Sequence, residues 1–247
     1  MSPDKDHPSA ARLMQVLAAT WPAAETLESD GWRLRRGDGG GQRVSAAVWA
    51  GQGAPGAAEI AEAGAAMRKW GQKPLFQVAD DPDADAALHT AGFALRDTTV
   101  LYSAPSAALT GEAAHIAAAY RATFAPAILE GVWDAGGIGP SRRAVMARAA
   151  GPSVYLMSRV GDRPCAGAFL AVDGDIAMIH AIEVLPNYRR HGAARLLIEA
   201  GARFAVDHGA SWMSLAVTEA NAPARALYEK LGMTAVATYH YRVEKDD

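Results

Sequence analysis

The chain of 247 residues contains very little cysteine, since Cys165 is its only one. A single cysteine excludes an intrachain disulfide and a zinc site built from cysteine ligands. The seven histidines are scattered without the spacing of metal ligands, so we expect no metal. No run approaches the roughly 18 consecutive apolar residues of a membrane span. The N-terminal residues, MSPDKDHPSA, have no apolar stretch of signal-peptide type. These absences predict a soluble, cytoplasmic protein.

An excess of charge of one sign is also lacking. The formal net charge is −3, and neither half of the chain is basic. We therefore expect no bulk attraction to nucleic acid or to an anionic membrane surface. Half of the residues are hydrophobic, which is typical of a globular protein, and the length suits one large or two small domains.

The first half of the chain reads as short alternating elements. Residues 10–19 have helical spacing, and residues 31–36 and 43–50 have the alternation of paired strands. The glycine-rich residues 37–41 lie between these segments and are expected to open no helix, so we interpret them as a hairpin turn rather than a nucleotide-binding loop. A helix, a strand, a second helix and a second strand are predicted at residues 57–70, 74–79, 84–91 and 93–103.

Small residues and a proline at residues 105–111 indicate a linker. It divides the chain into an N-terminal domain at 1–104 and a C-terminal domain at 112–247. In the second domain we predict helices at 112–125 and 141–150, then strands at 153–160, 165–172 and 176–185. A helix, a strand, a helix and a final strand follow. This order predicts a mixed α/β layer with a largely antiparallel beginning and one crossover helix.

A basic turn after the last of those three strands is a candidate phosphate site. Pro186 ends the strand, and residues 189–194, with the sequence RRHGAA, then lead into a long amphipathic helix. The first N–H groups of a helix have no intrahelical partners and lie at the positive end of its dipole. Gly192 lets a ligand approach the backbone closely. Such a string also occurs by chance, so by itself it favours a structural turn over a phosphate site.

A second helix follows the next strand. Asn221 is a good N-cap, and Tyr228 lies seven residues later, about two helical turns further on the same side. Taken alone, such a tyrosine is better interpreted as a core or surface anchor.

Three pieces in this order resemble the GNAT superfamily of acyl-CoA-dependent N-acetyltransferases. They are residues 182–186 (IEVLP), 189–194 (RRHGAA) and 221–233 (NAPARALYEKLGM), and the resemblance covers about residues 150–240. It implies an α/β (α+β) fold with a mixed central sheet flanked by helices. The first half is similar to tandem GNAT proteins whose N-terminal unit is a smaller, degenerate copy of the fold.

The resemblance also implies roles for individual residues. The turn would hold the CoA diphosphate, and the preceding strand would pair with pantetheine. The N–H of Val184 would polarise the thioester carbonyl, and Tyr228 would protonate the departing thiolate. The residues implied to contact the cofactor are Ile182, Val184, Arg189, Arg190, His191, Gly192, Ala193, Ala194, Asn221 and Tyr228.

The general base is less defined. Some relatives use a glutamate on the strand after the crossover helix, but Ala216 occupies that position here. His180 lies on the strand entering the site, and its ordinary pKa near about 6.5 suits a base, although a buried core histidine fits equally well. Glu183 should point to the opposite face from His180 and Ile182 unless a β-bulge intervenes.

We therefore expect an N-acetyltransferase that moves acetyl from acetyl-CoA to a primary amine by direct attack. The family mechanism needs no acyl-enzyme, so Cys165 is interpreted as a core residue. The acceptor would be an amine-bearing small molecule or peptide, and the protein a monomer or a homodimer. A non-catalytic acyl-CoA-binding or sensor protein is the alternative. A nucleotide-binding regulator is disfavoured because no Walker lysine motif is present.

Overall fold

The structure is a computed structural model that describes residues 7–111 and 119–245. The first half of the chain contains α1 (Ala10–Thr20), β1 (Glu25–Ser29), β2 (Trp32–Arg36), α2 (Gln42–Ser45), β3 (Val48–Trp49), α3 (Ala57–Lys69), β4 (Leu75–Val78), α4 (Pro82–Thr90) and β5 (Ala94–Pro105). The second half contains β6 (Ala119–Ala122), α5 (Ala127–Ala135), α6 (Pro140–Met146), β7 (Ser153–Val160), β8 (Arg163–Asp173), β9 (Ile176–Val184), α7 (Ala193–Asp207), β10 (Trp212–Thr218), α8 (Ala222–Lys230) and β11 (Thr234–Val243).

The strands form one large and one small sheet. The eight-stranded sheet has the order β4-β11-β5-β10-β9-β8-β7-β6, and the three-stranded sheet has the order β1-β2-β3. β9 and β10 are parallel, whereas the other neighbours in the large sheet are antiparallel. The predicted mixed sheet flanked by helices is confirmed. The division of the chain at residues 105–111 stays a prediction, and strands from both sides of that segment share the large sheet.

The large sheet is covered by helices on both faces. α7 packs on one face, where Leu197 and Ile198 join a cluster with residues of β8, β9 and β10. α1 packs on the other face, where Leu13 and Val16 meet Met178 of β9. Because β9 is buried on both faces, its sequence is a nearly continuous apolar run, as expected for a strand in a parallel pair.

Two predicted elements are wrong in part. Of residues 43–50, only Val48 and Trp49 pair with β2, because the chain first makes the single helical turn α2, in which the Ser45 hydroxyl donates to the Gly41 carbonyl. The helix predicted at 112–125 lies partly outside the described residues. Its remainder includes β6, an edge strand paired with β7, so sheet pairing overrides the helical propensity of the alanines.

An ion-pair cluster fastens α4 to β11. The Asp85 carboxylate accepts hydrogen bonds from Arg242 at 2.6 and 2.7 Å and from His240 at 2.6 Å. The hydrogen bonds from Arg242 and, to a smaller extent, the bond from His240 lower the pKa of Asp85 to about 2. A carboxyl group whose pKa is lower in the folded state stabilises the fold above its unfolded pKa of about 3.9.

We expect Asp85→Asn to lower the free energy of unfolding at pH 7 by about 2 kcal/mol. The difference from the wild type should shrink as the pH falls from about 4 toward 2, because the native carboxylate is then protonated. Guanidinium denaturation at pH 7 and pH 3 measures the free energy of unfolding of the variant and the wild type. Asp83→Asn, in the same exposed helical turn, is the matched control, and an equal loss in that variant would contradict the assignment.

Candidate active site

The central feature of the site is a gap between two neighbouring strands. β9 and β10 pair only from Ile176 with Trp212 to Ile179 with Leu215. Beyond that point β9 stays with β8 as far as Val184, whereas β10 stays with β5 as far as Thr218. The two strands therefore diverge, and residues 180–184 of β9 face residues 216–218 of β10 across a gap that we call the wedge.

A β-bulge in β9 sets the direction of the side chains at the wedge. Phe169 of β8 pairs with His180, but Gly167 pairs with Glu183, so β9 has one extra residue in this interval. Ala181 has φ of +51°, and its carbonyl accepts a hydrogen bond of 2.9 Å from Trp133 Nε1. Because the bulge reverses the alternation, Glu183 lies on the same face of β9 as His180, which is the exception that the sequence analysis allowed for.

Ile182 and Val184 point to the opposite face. Both pack against the apolar cluster that lies between the sheet and α7. Tyr228 of α8 belongs to the same cluster and is 6% exposed. The two strand residues and the tyrosine that were predicted to share a site therefore all adjoin this one apolar cluster.

The turn before α7 leaves backbone amides available for an anion. Gly192 is the N-cap, with φ of +84°, and no side chain caps the helix. The N–H of Leu196 reaches the Gly192 carbonyl at 3.1 Å, so the N–H groups before it have no i−4 partner in the helix. The first turn contains no acidic residue, and a Cβ added at Gly192 would meet no atom within 4 Å. Geometry and dipole both favour an anion here.

The basic side chains of this turn have different positions. Arg189 folds back onto β9, where its Nε donates to the Val184 carbonyl at 3.1 Å and its Nη2 lies 3.3 Å from Glu183 Oε1. Arg190 is exposed and has φ of +67°. The His191 ring Nδ1 lies 2.8 Å from the Arg189 carbonyl. Arg189 thus positions the turn against β9, whereas Arg190 is exposed beside it.

α8 begins at Asn221, as predicted. The Asn221 Oδ1 accepts from the Ala224 N–H at 3.3 Å, which leaves its amide group to donate elsewhere. Two turns later, burial raises the pKa of Tyr228 to about 12. The Tyr228 hydroxyl forms no hydrogen bond with any residue in the described ranges. Its ring centroid lies 5.9 Å from that of Tyr102.

His180 is buried among residues of the N-terminal half. Its Nε2 lies 2.8 Å from Thr20 Oγ1, and its Nδ1 lies 3.5 Å from Arg43 Nη1. The Thr20 hydroxyl already donates to the Val16 carbonyl at 2.6 Å, so it can only accept from Nε2–H. The lone pair of Nδ1 therefore faces a guanidinium. Burial, and next the Arg43 charge, hold the pKa of His180 well below its usual value.

Glu183 is close to the wedge and partly accessible. Its side chain is 17% exposed and pairs with Arg189. A Cβ added at Gly136, just after α5, would lie within 2.6 Å of three atoms of the Glu183 side chain. The glycine therefore lets the end of α5 approach the carboxylate. Ala216 on β10 provides no competing acid.

Sequence reasoning did not find the partners of His180. Thr20 and Arg43 are 160 and 137 residues away from it in the chain, and no local pattern marks them. Within residues 7–111 and 119–245, no group of three or more His, Cys, Asp or Glu side chains is arranged to hold a metal ion. No helix in the same ranges is long and apolar enough to cross a membrane.

Comparison with known proteins finds similarity in the C-terminal half. Residues 133–233 match the family described as "Acetyltransferase (GNAT) family". The chain is also similar in fold to a GCN5-related N-acetyltransferase from Kribbella flavida, with TM-score 0.71, 19% identity and 96% of both chains covered. The comparison with curated proteins finds no match.

Two further solved structures have the same fold. One is a tandem GNAT protein from the clavulanic acid biosynthesis pathway, with TM-score 0.64, 16% identity, and coverage of 98% of this chain and 92% of that one. The other is a GNAT-family acetyltransferase structure from Novosphingobium aromaticivorans, with TM-score 0.55, 18% identity, and coverage of 90% and 92%.

Proposed function

We propose that the protein transfers the acetyl group of acetyl-CoA to a primary amine by direct attack, because residues 133–233 match the GNAT acetyltransferase family. The observation that carries this proposal is the wedge between β9 and β10, which has an uncapped helix N-terminus at one side and a buried tyrosine in the same apolar cluster. An extended thioester with a diphosphate at its far end fits that arrangement.

We place the cofactor along β9 as an added strand. The diphosphate binds the backbone of residues 190–194, with the Arg190 side chain beside it. Pantetheine pairs with the backbone of Ile182 and Val184, which β10 leaves unpaired on that side. The Val184 N–H donates to the thioester carbonyl and stabilises the oxyanion as the amine attacks. The free amide of Asn221 contacts CoA from α8.

Tyr228 acts on the leaving group. The carbon–sulfur bond breaks as the amine nitrogen bonds to the acyl carbon, and the sulfur takes the electron pair. The thiol of CoA has a pKa of about 8.5, whereas the pKa of Tyr228 is about 12. Full transfer of the phenol proton to the thiolate is therefore uphill by roughly 5 kcal/mol. Tyr228 therefore stabilises the developing thiolate mainly by a hydrogen bond and remains neutral at working pH.

The proton of the attacking ammonium has two candidate acceptors. The sequence indicated His180, but the contacts do not favour this role, because its one free lone pair faces Arg43 and its pKa is low. The bulge places Glu183 on the same face, next to α5 and partly accessible. We propose that Glu183 takes the proton, directly or through water, and that His180 positions α1 and Arg43 against β9.

Release of free CoA thiol, measured with a polyamine, a lysine peptide, an α-amino peptide and an aminoglycoside, tests both assignments. We expect turnover with at least one of these amine classes. Glu183→Gln should lower kcat about 100-fold at pH 7. His180→Gln should mainly lower stability and preserve most of kcat.

Two results would contradict these assignments. Tight CoA binding without turnover on any amine would favour the acyl-CoA sensor reading. A large loss of kcat in folded His180→Gln, with kcat retained in Glu183→Gln, would return the base to His180.

A further inference from the structure

The two halves of the chain repeat the same construction. Asp81 caps α4 by accepting from the Ala84 N–H at 2.9 Å, as Asn221 caps α8 140 residues later. Leu88 stands 140 residues before Tyr228, at the same distance from its cap. The same offset relates Gly92 to Gly232 and Phe93 to Met233. The N-terminal half therefore contains a counterpart of the helix that carries Tyr228.

The sheet repeats the construction too. In the order β4-β11-β5-β10, the two outer strands, β4 and β10, each precede one of the capped helices. The two inner strands, β5 and β11, each follow one of them. Ala47, beside β3, makes a parallel bridge to Phe76 of β4, which corresponds to the parallel pairing of β9 with β10. The pairing of β3 with β4 is confined to this point. A second wedge is therefore expected between β3 and the end of β4.

A cavity of about 530 Å³ occupies that position. Its walls are mainly apolar and come from α1, β3, the end of β4, α4 and β11, including Met14, Val48, Trp49, Val78 and Leu88. Leu88 lines the cavity at the position that corresponds to Tyr228. A cavity of this volume is within the range that holds small organic ligands.

The cavity does not fit a second CoA. α3 begins at Gly56 just as α7 begins at Gly192, but the Glu59 carboxylate accepts a hydrogen bond from the Gly56 N–H. A carboxylate of the protein thus occupies the place of a phosphate. The cavity lining contains no lysine or arginine. Both features disfavour a diphosphate electrostatically.

The charge at the cavity is negative. Asp80 lines it, is exposed, and makes no ion pair or side-chain hydrogen bond with any residue that the structure describes. Its φ of +52° places it in the left-handed region, directly before the Asp81 cap. The indole of Trp49 is part of the same wall, and an indole face attracts cations. We propose that this cavity binds a compact organic cation, such as a substituted ammonium with an apolar body.

Isothermal titration with benzyltrimethylammonium, in the presence of saturating CoA so that the wedge is filled, tests the proposal. We expect saturable binding of one cation per chain. Neutral dimethylbenzylcarbinol, of nearly the same shape, should bind about tenfold more weakly. Asp80→Asn tolerates the same backbone conformation and should weaken binding of the cation about fivefold at low salt, whereas Asp83→Asn, outside the lining, should not change it.

Several results would overturn the proposal. They are the absence of saturable binding, equal affinity for the neutral alcohol, and equal affinity in the wild type and Asp80→Asn. Titration with CoA alone gives a further check, because two CoA molecules per chain would make the cavity a second cofactor site. Failure of these tests would not affect the proposed acetyl transfer, which is measured separately by thiol release.

Discussion

Tyr228→Phe is expected to lower kcat by about 100-fold while leaving the affinity for CoA unchanged. The ring is buried in the cluster under α7, and its hydroxyl forms no hydrogen bond with any described residue. Phenylalanine therefore keeps the packing and removes only the group that stabilises the thiolate. Stopped-flow or steady-state thiol release gives kcat, and calorimetry gives the dissociation constant of CoA.

Tyr239→Phe is the matched control for this experiment. Tyr239 is 1% exposed and packs in the other core cluster, beneath α1, where its hydroxyl lies near Arg43 and Tyr241. This variant should retain kcat. Because the pKa of Tyr228 is raised to about 12, the wild-type rate should not fall between pH 8 and pH 10 through loss of its proton. Equal loss of kcat in both variants would show that packing, and not the hydroxyl, limits the reaction.

The sequence was most informative where local geometry decides the structure. The turn before α7 and the cap at Asn221 follow from local helix geometry, whereas the roles proposed for the turn and for Tyr228 rest on the family resemblance. The mixed sheet could also be predicted from the order of elements. The sequence was less informative about elements whose structure depends on strand pairing. The alanine-rich segment at β6 has a helical propensity, but it is extended here because it pairs with β7 at the edge of the sheet.

The surroundings of the two candidate bases could not be predicted in the same way. The bulge at Ala181 is stabilised by Trp133, which lies 48 residues earlier, and it alone decides that Glu183 shares a face with His180. The surroundings of His180 come from Thr20 and Arg43 in the other half of the chain. A single sequence gives the periodicity of a strand but not the contacts that interrupt it.

Strands from the two halves of the chain alternate within the large sheet. β5 lies between β10 and β11, and β11 lies between β4 and β5. The β10 side of the wedge is therefore supported by a strand of the N-terminal half. A change in the N-terminal half can thus reach the wedge through the sheet itself. This is a reason to measure acetyl transfer with and without an occupant of the N-terminal cavity.

The second large effect is expected at the turn before α7, where Gly192→Asp should weaken CoA binding about 100-fold. Aspartate tolerates a positive φ better than most residues, and a Cβ at this position meets no atom within 4 Å, so the fold should be retained. The added carboxylate lies where the diphosphate must approach and repels it. Calorimetric titration with CoA measures the change in the dissociation constant.

Gly209→Asp is the matched control, because Gly209 follows the other end of α7, has φ of +76° and is equally open around its Cβ. It has the same conformational cost and should leave CoA affinity unchanged. Gly192→Ala separates shape from charge. Its smaller loss of CoA affinity should be insensitive to salt. The loss of CoA affinity in Gly192→Asp should shrink at high salt, where the Debye length falls to about 3 Å. If CoA binds Gly192→Asp as tightly as the wild type, the diphosphate does not lie on this turn and the placement of the whole cofactor along β9 is wrong.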